Sequence, residues 1–367
     1  ENLNKKCVLF LYHTDYVESV MKLKQFKESS SGGKYSVYLE SIDPSIHTYQ
    51  YVKRIITSYG NNFKIKYVLI IGSIEEVPTV MISLPYDWEN STRLNKNNLS
   101  AASDIYYGHF GTREMKITIG RLTSGDNRYS YYNQNPNNNL SLLEKQTNIE
   151  NQVNKIIKYS TIGIREVTRN SLHDLEWVKN ILGVASNDGG GNYGLDGLSD
   201  NRFMRQELEK YKNSLNCVYT ELYDSYINNP SVIDSKINYD KWGNPSWYDL
   251  LTCINNGASL LLYVGHANET QLSTTGFDVS DSDYLSNTNK LFLGCAVGCS
   301  LGSHDEHFMS LAEQFQTLKD KGSIAMFASS ILQSWTAPMI MQRQLNDIII
   351  NAKETMTIGE IFEETIK

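Results

Sequence analysis

Two apolar runs end in glycine followed by a reactive residue. Ser259-Leu260-Leu261-Leu262-Tyr263-Val264 stops at Gly265-His266, and Leu291-Phe292-Leu293-Gly294-Cys295-Ala296-Val297-Gly298-Cys299 stops at Ser300-Leu301-Gly302. Short continuous apolar runs bounded by glycine predict strands buried on both faces, as in parallel sheets covered by helices. The same pattern recurs along the chain. Cys7 to Tyr12, Tyr35 to Leu39, Tyr67 to Ile71, Ile117 to Arg121, Ile181 to Ser186, Val218 to Leu222 and Ser323 to Ala328 read as further strands. Between them, helical spacing of apolar positions predicts helices over Tyr16 to Glu28, Ser45 to Tyr59 with Ser45 as cap and Gly60 as stop, and Ser141 to Tyr159. More helices are expected over Arg202 to Tyr211, Trp247 to Ile254, Leu311 to Leu318 and Met339 to Ile350. Strand and helix thus alternate, which predicts an α/β fold of mostly parallel sheets flanked by helices with right-handed crossovers.

At 367 residues the chain is long enough for two cores. The polar, low-complexity stretch Asn127 to Ser141 reads as an exposed loop. It separates an expected N-terminal subdomain, residues 1–130, from a second subdomain, residues 131–367. No run of 18 apolar residues exists, so no transmembrane helix is expected. The formal net charge of −7 argues against a nucleic-acid partner and suits a cationic substrate. Neither G-x-G-x-x-G nor the Walker pattern follows any strand, which removes support for nucleotide binding. The start Glu1-Asn2-Leu3 has no initiating Met and no basic-then-apolar leader, and reads as either an artificial or a processed start.

A histidine and a cysteine at neighbouring strand ends can act as base and nucleophile without a metal, because imidazole can take the thiol proton. In open α/β sheets the carboxyl edge is where ligands bind. Of the five cysteines, Cys7, Cys217 and Cys253 read as core residues, and no disulfide framework is indicated. Cys295 and Cys299, four apart on one expected strand, should face the same way and compete for the nucleophile's role. His304-Asp305-Glu306-His307 offers no familiar zinc spacing and reads as a solvated loop.

The order strand, Gly265-His266, loop, strand, Gly298-Cys299, helix resembles the caspase-like cysteine peptidases, and in detail the gingipain family (peptidase family C25). The resemblance extends to Leu311-Ala312-Glu313, Ala328-Ser329, Gln333-Ser334-Trp335 and Pro338-Met339. Upstream it takes in Val77-Pro78, Ser103-Asp104, Tyr107-Gly108 and Ile119-Gly120-Arg121. It covers the chain from about residue 60 to 350, and the separation of His266 from Cys299 favours Cys299 over Cys295.

The resemblance implies a cysteine endopeptidase working through a Cys299–His266 dyad and a thioester acyl-enzyme. It gives the amides of Cys299 and Ala267 to the oxyanion hole, Ala267 standing where glycine is usual. Asp188 would orient His266, as an Asp where the family has Glu. Asp200 would lie at the floor of a pocket for a P1 arginine, less readily lysine, with Trp335 covering its apolar stem. The plain alternative for Asp200 is a helix N-cap. The partner would be a protein or peptide and the location outside the cell or on its surface. Catalysis needs no cofactor, although a structural Ca²⁺ is allowed. The family's further strand and β-sandwich domain do not follow Lys367, so a fragment of a longer protein is expected. Two other readings fit the same residues: a catalytically inactive binding or scaffold domain, kept open by Ala267 and Asp188, and a transpeptidase using the same thiol.

Overall fold

The computed structural model describes residues 6–83, 100–110, 115–125, 139–161, 173–188, 194–224, 244–304 and 308–367. The expected alternation of strand and helix is what the chain adopts. Strand β1 (Cys7–His13) leads through α1 (Val17–Glu28) to β2 (Ser36–Ile42), and α2 (Tyr49–Phe63) leads to β3 (Tyr67–Ile71). An antiparallel pair, β4 (Val80–Ser83) and β5 (Ser100–Ser103), precedes β6 (Thr118–Leu122). The first sheet has the order β2-β1-β3-β6, with every pairing parallel.

Helix α3 (Leu142–Ser160) follows, its start fixed by a capping box between Ser141 and Glu144. Then come β7 (Asn180–Ala185), α4 (Asp200–Leu215), β8 (Val218–Tyr223), α5 (Trp247–Asn256) and β9 (Leu260–Val264). A two-residue hairpin, β10 (Gln271–Leu272) with β11 (Phe277–Asp278), lies before β12 (Phe292–Val297). Helix α6 (Leu311–Thr317), β13 (Ser323–Phe327), α7 (Thr336–Asn351) and α8 (Ile358–Thr365) complete the chain. The second sheet, β13-β12-β9-β7-β8, is again all parallel.

Both sheets are covered on both faces, which is why their strands read as unbroken apolar runs. On one face of the second sheet Leu250, Leu251 and Ile254 of α5 and Leu311 and Phe315 of α6 pack on Leu261 and Tyr263. On the other, Phe203, Met204 and Leu208 of α4 and Met339 and Leu345 of α7 pack on Leu262, Val264 and Cys295. Helix α3 packs Ile149 and Val153 under the first sheet. It also reaches the second, where buried Lys155 donates to the main-chain oxygens of Phe315, Lys321 and Ser323 at 3.2, 3.1 and 2.9 Å.

Helices α4 and α7 run longer than the sequence reading, α4 to Leu215 and α7 from Thr336, and α2 differs from it at both ends. Helix α2 begins after Thr48 rather than Ser45, whose hydroxyl is taken by Asp43 in the preceding turn. Gly60 lies inside that helix: a Cβ there would sit 2.9 Å from the Phe110 ring and from Ile117 Cδ1, so it serves close packing rather than termination. Residues 127–138 of the expected low-complexity loop lie outside the described residues.

Candidate active site

Strands β9 and β12 lie side by side with Val264 opposite Val297, and the Gly265 N–H donates to the Val297 carbonyl at 3.0 Å. His266 and Cys299 each stand two residues beyond this matched pair. They therefore occupy equivalent places at the carboxyl ends of adjacent strands. The approach of the two turns demands glycine at 298, where a Cβ would lie 2.9 Å from the Ala267 Cβ and 3.2 Å from the Gly265 carbonyl oxygen. After Cys299 the chain turns at Ser300, held at φ 54° in the left-handed region, its N–H donating to the Ile331 carbonyl at 2.8 Å.

This turn corrects the expectation that Cys295 and Cys299 share a face. The strand stops at Val297, so alternation does not carry on to residue 299. Cys295 is fully buried, and burial pushes its thiol up to about 12. Cys299 is half-buried, with Sγ 3.9 Å from the Gln333 carbonyl oxygen, while the Gln333 side chain donates to the Gly298 carbonyl at 2.9 Å. Cys7, Cys217 and Cys253 are partly buried, packed at the margins of three cores.

The His266 side chain is 62 % exposed and Asp188 44 % exposed, with Nε2 and Oδ2 3.5 Å apart. Asp thus reaches the imidazole in spite of being shorter than Glu, and at this exposure the pair adds little to the stability of the fold. The Trp335 ring lies edge-on to the imidazole, with centroids 4.9 Å apart. Ala267 has a negative φ, so alanine fits at this position without strain. Neither the Ala267 nor the Cys299 amide has a hydrogen-bond acceptor among the described residues.

Asp200 is the first residue of α4, one place after the cap position held by Ser199. It is completely buried, and both carboxylate oxygens are engaged. Trp335 Nε1 donates to Oδ1 at 2.7 Å and Ser186 Oγ to Oδ2 at 2.5 Å. Burial raises its pKa to about 6 against the pull of these two donors. Burial, and then the charge of Asp188, also raises Asp224 at the end of β8. Three aspartates therefore lie on the carboxyl edge that carries His266.

Sequence reasoning gave no role to Ser186, which also accepts the Asp188 N–H at 3.1 Å, or to Gln333, singled out only for its place in a motif. The signal for Ser186 is a polar residue directly after the apolar run of β7. The Nε2 of His304 lies 3.9 Å from Asp104 Oδ2, and residues 305–307 lie outside the described residues. Among the described residues no three His, Cys, Asp or Glu side chains converge as a metal site.

Comparison with known proteins agrees with this architecture. The chain is 24 % identical over 308 residues to gingipain R2 and to gingipain R1, both of Porphyromonas gingivalis. These matches take in 82 % of this chain but only 33 % and 24 % of those proteins, so the chain spans a third or less of these curated relatives. Among solved structures, the complex of P. gingivalis RgpB pro- and mature domains superposes with a TM-score of 0.74 at 19 % identity, covering 98 % of this chain and 72 % of that one. The Arg-specific cysteine proteinase gingipain R gives 0.73 at 19 % identity over the whole of this chain and 72 % of that one. At such identities the superpositions establish the fold. The sequence profile of peptidase family C25 matches residues 142–367, more than half the chain, and the chain belongs to that family.

Proposed function

We infer that this chain is a cysteine endopeptidase cleaving after arginine. The observation that carries this reading is the matched placement of His266 and Cys299 two residues beyond the paired Val264 and Val297. The sulfur of Cys299 attacks the peptide carbonyl carbon as the thiol proton passes to His266, and the carbonyl electron pair moves onto oxygen. The amides of Ala267 and Cys299 receive that oxyanion. As the carbonyl re-forms, the C–N bond breaks and His266 returns the proton to the leaving amine. Water, deprotonated by the same imidazole, then hydrolyses the thioester and frees the thiol. Asp188 holds the ring for both transfers.

Asp200 is assigned to the P1 side chain. A guanidinium that takes the place of the Trp335 indole would bind the ionised carboxylate through charge-assisted bonds, and the tryptophan would then lie along the aliphatic stem. Such an enzyme acts on proteins or peptides, outside the cell or on its surface. No helix among the described residues is long and apolar enough to cross a membrane. The features that left room for an inactive scaffold, Ala267 and Asp188, are both compatible with catalysis as placed.

The test is a fluorogenic peptide panel varied at P1, combined with iodoacetamide labelling at neutral pH. Cleavage after arginine, lost in Cys299→Ala and kept in Cys295→Ala, with alkylation confined to Cys299 among these two, supports the reading. An unlabelled Cys299 and no cleavage of any panel member would leave a non-catalytic domain. Acyl transfer to an added amine in preference to water would instead make the chain a transpeptidase.

A further inference from the structure

Tyr263, the fourth residue of β9, is fully buried, and it touches both turns of the site. Its phenol O–H donates to the main-chain oxygen of His266. The Thr274 N–H donates to the phenol oxygen at 3.3 Å, and the Thr274 hydroxyl lies 3.1 Å from it. The edge of the ring bounds the space at Gly298, where a Cβ would meet Tyr263 Cε1 at 3.2 Å. The His266 oxygen takes a second bond from the Ser273 N–H at 3.1 Å.

The carbonyl of His266 and the N–H of Ala267 belong to one planar peptide unit, and no peptide bond among the described residues is cis. In a trans unit these two groups point in opposite directions. Two donors that draw the carbonyl towards Tyr263 and Ser273 therefore turn the Ala267 N–H away from them, and that N–H has no acceptor among the described residues. We propose that Tyr263 is a positioning residue that aims the Ala267 amide at the oxyanion by holding the His266 carbonyl from behind. The proposal rests on the peptidase reading above. Burial pushes the phenol up to about 12, so it stays a donor throughout the neutral range.

Tyr263→Phe keeps the ring in its packing and removes only the donor. On a peptide with arginine at P1, kcat is expected to fall about 10- to 100-fold with KM within about twofold, as for loss of alignment of an oxyanion donor. The second readout is a peptide aldehyde. Cys299 sulfur adds to its carbon, the thiol proton passes to His266, and the carbonyl pair becomes an alkoxide in the same hole. Its affinity should weaken by the same factor as kcat/KM. Iodoacetamide alkylation of Cys299 forms no oxyanion and should keep its rate within about twofold.

A Tyr263→Phe enzyme with unchanged kcat and aldehyde affinity, or one whose alkylation rate drops in step with kcat, overturns the proposal in favour of packing alone. Should that variant fail to fold, Thr274→Val, which removes the hydroxyl beside the phenol, is expected to show the same split at about two- to tenfold. An equal loss of alkylation in Thr274→Val would overturn it too. Failure of the peptidase reading looks different: wild type itself would neither cleave nor be labelled at Cys299.

Discussion

Asp200→Asn separates the cost of burying a carboxylate from its use. The side chain has no exposed surface, and its pKa rises from 3.8 to about 6. Below about pH 4 the carboxyl is protonated in both folded and unfolded chains and contributes nothing to pH dependence. Between pH 4 and 6 the folded chain keeps a proton that the unfolded chain has lost, so stability falls as pH rises. Above pH 6 both are ionised and the full cost is present. Two pH units at about 1.4 kcal/mol each give roughly 3 kcal/mol.

Asparagine can still accept from Trp335 and pair with Ser186, without the charge. Relative to wild type, the variant should therefore gain up to about 3 kcal/mol between pH 4 and pH 7.5. Its kcat/KM for arginine at P1 should fall by about 100-fold or more, as for loss of one partner of a buried charge pair. Urea unfolding followed by tryptophan fluorescence at the two pH values, beside peptide kinetics at pH 7.5, gives both numbers. A wild-type-to-variant gap that does not change with pH, or a variant less stable at pH 7.5 than at pH 4 relative to wild type, would refute the reasoning.

Three further outcomes are expected. Lys155→Met removes three hydrogen bonds to main-chain oxygens and should destabilise by about 2 kcal/mol at pH 6.5. Burial lowers the Lys155 pKa to about 7, so above pH 7 the unfolded chain holds a proton the folded chain has shed, and stability from this site rises with pH. The gap between wild type and Lys155→Met should then widen by up to about 3 kcal/mol from pH 6.5 to 9.5 in urea titrations. Gly298→Ala forces a Cβ against Ala267, 2.9 Å away, and should cut kcat/KM by about 100-fold in peptide assays. Gly60→Ala gains helix propensity of about 1 kcal/mol but overpacks Phe110 and Ile117, so calorimetry should show a net loss of about 1 kcal/mol.

The alternation of buried strands and amphipathic helices was legible because both sheets are covered on both faces. Gly265-His266 and Gly298-Cys299 were legible because each closes such a strand. What the chain does not announce is set by residues far apart in sequence. Nothing near Gly60 tells of Phe110 and Ile117, which make it a packing glycine. The separate fates of Cys295 and Cys299 depend on the strand ending at Val297 and on the left-handed turn at Ser300, neither of which alternation alone reveals. Asp200 was expected as a pocket floor or a cap, and nothing in its neighbourhood announces Ser186 and Trp335, which reach it from just after β7 and just before α7. The two-residue strands β10 and β11 carry too few residues to give a clear period, whereas α8 opens on the readable capping box Thr357–Glu360 that the sequence reading passed over.

The bond from Trp335 to Asp200 makes the indole the first competitor of the proposed P1 arginine. If Asp200 receives the P1 side chain as proposed, an incoming group must part the indole from the carboxylate before settling there. Arginine offers two or more N–H groups in exchange for one, whereas leucine or alanine offers none. An apolar visitor would strand a desolvated oxygen at about 1–3 kcal/mol, an exclusion of roughly 5- to 150-fold. On the proposed reading, rejection of wrong side chains comes ahead of any attraction felt by the right one.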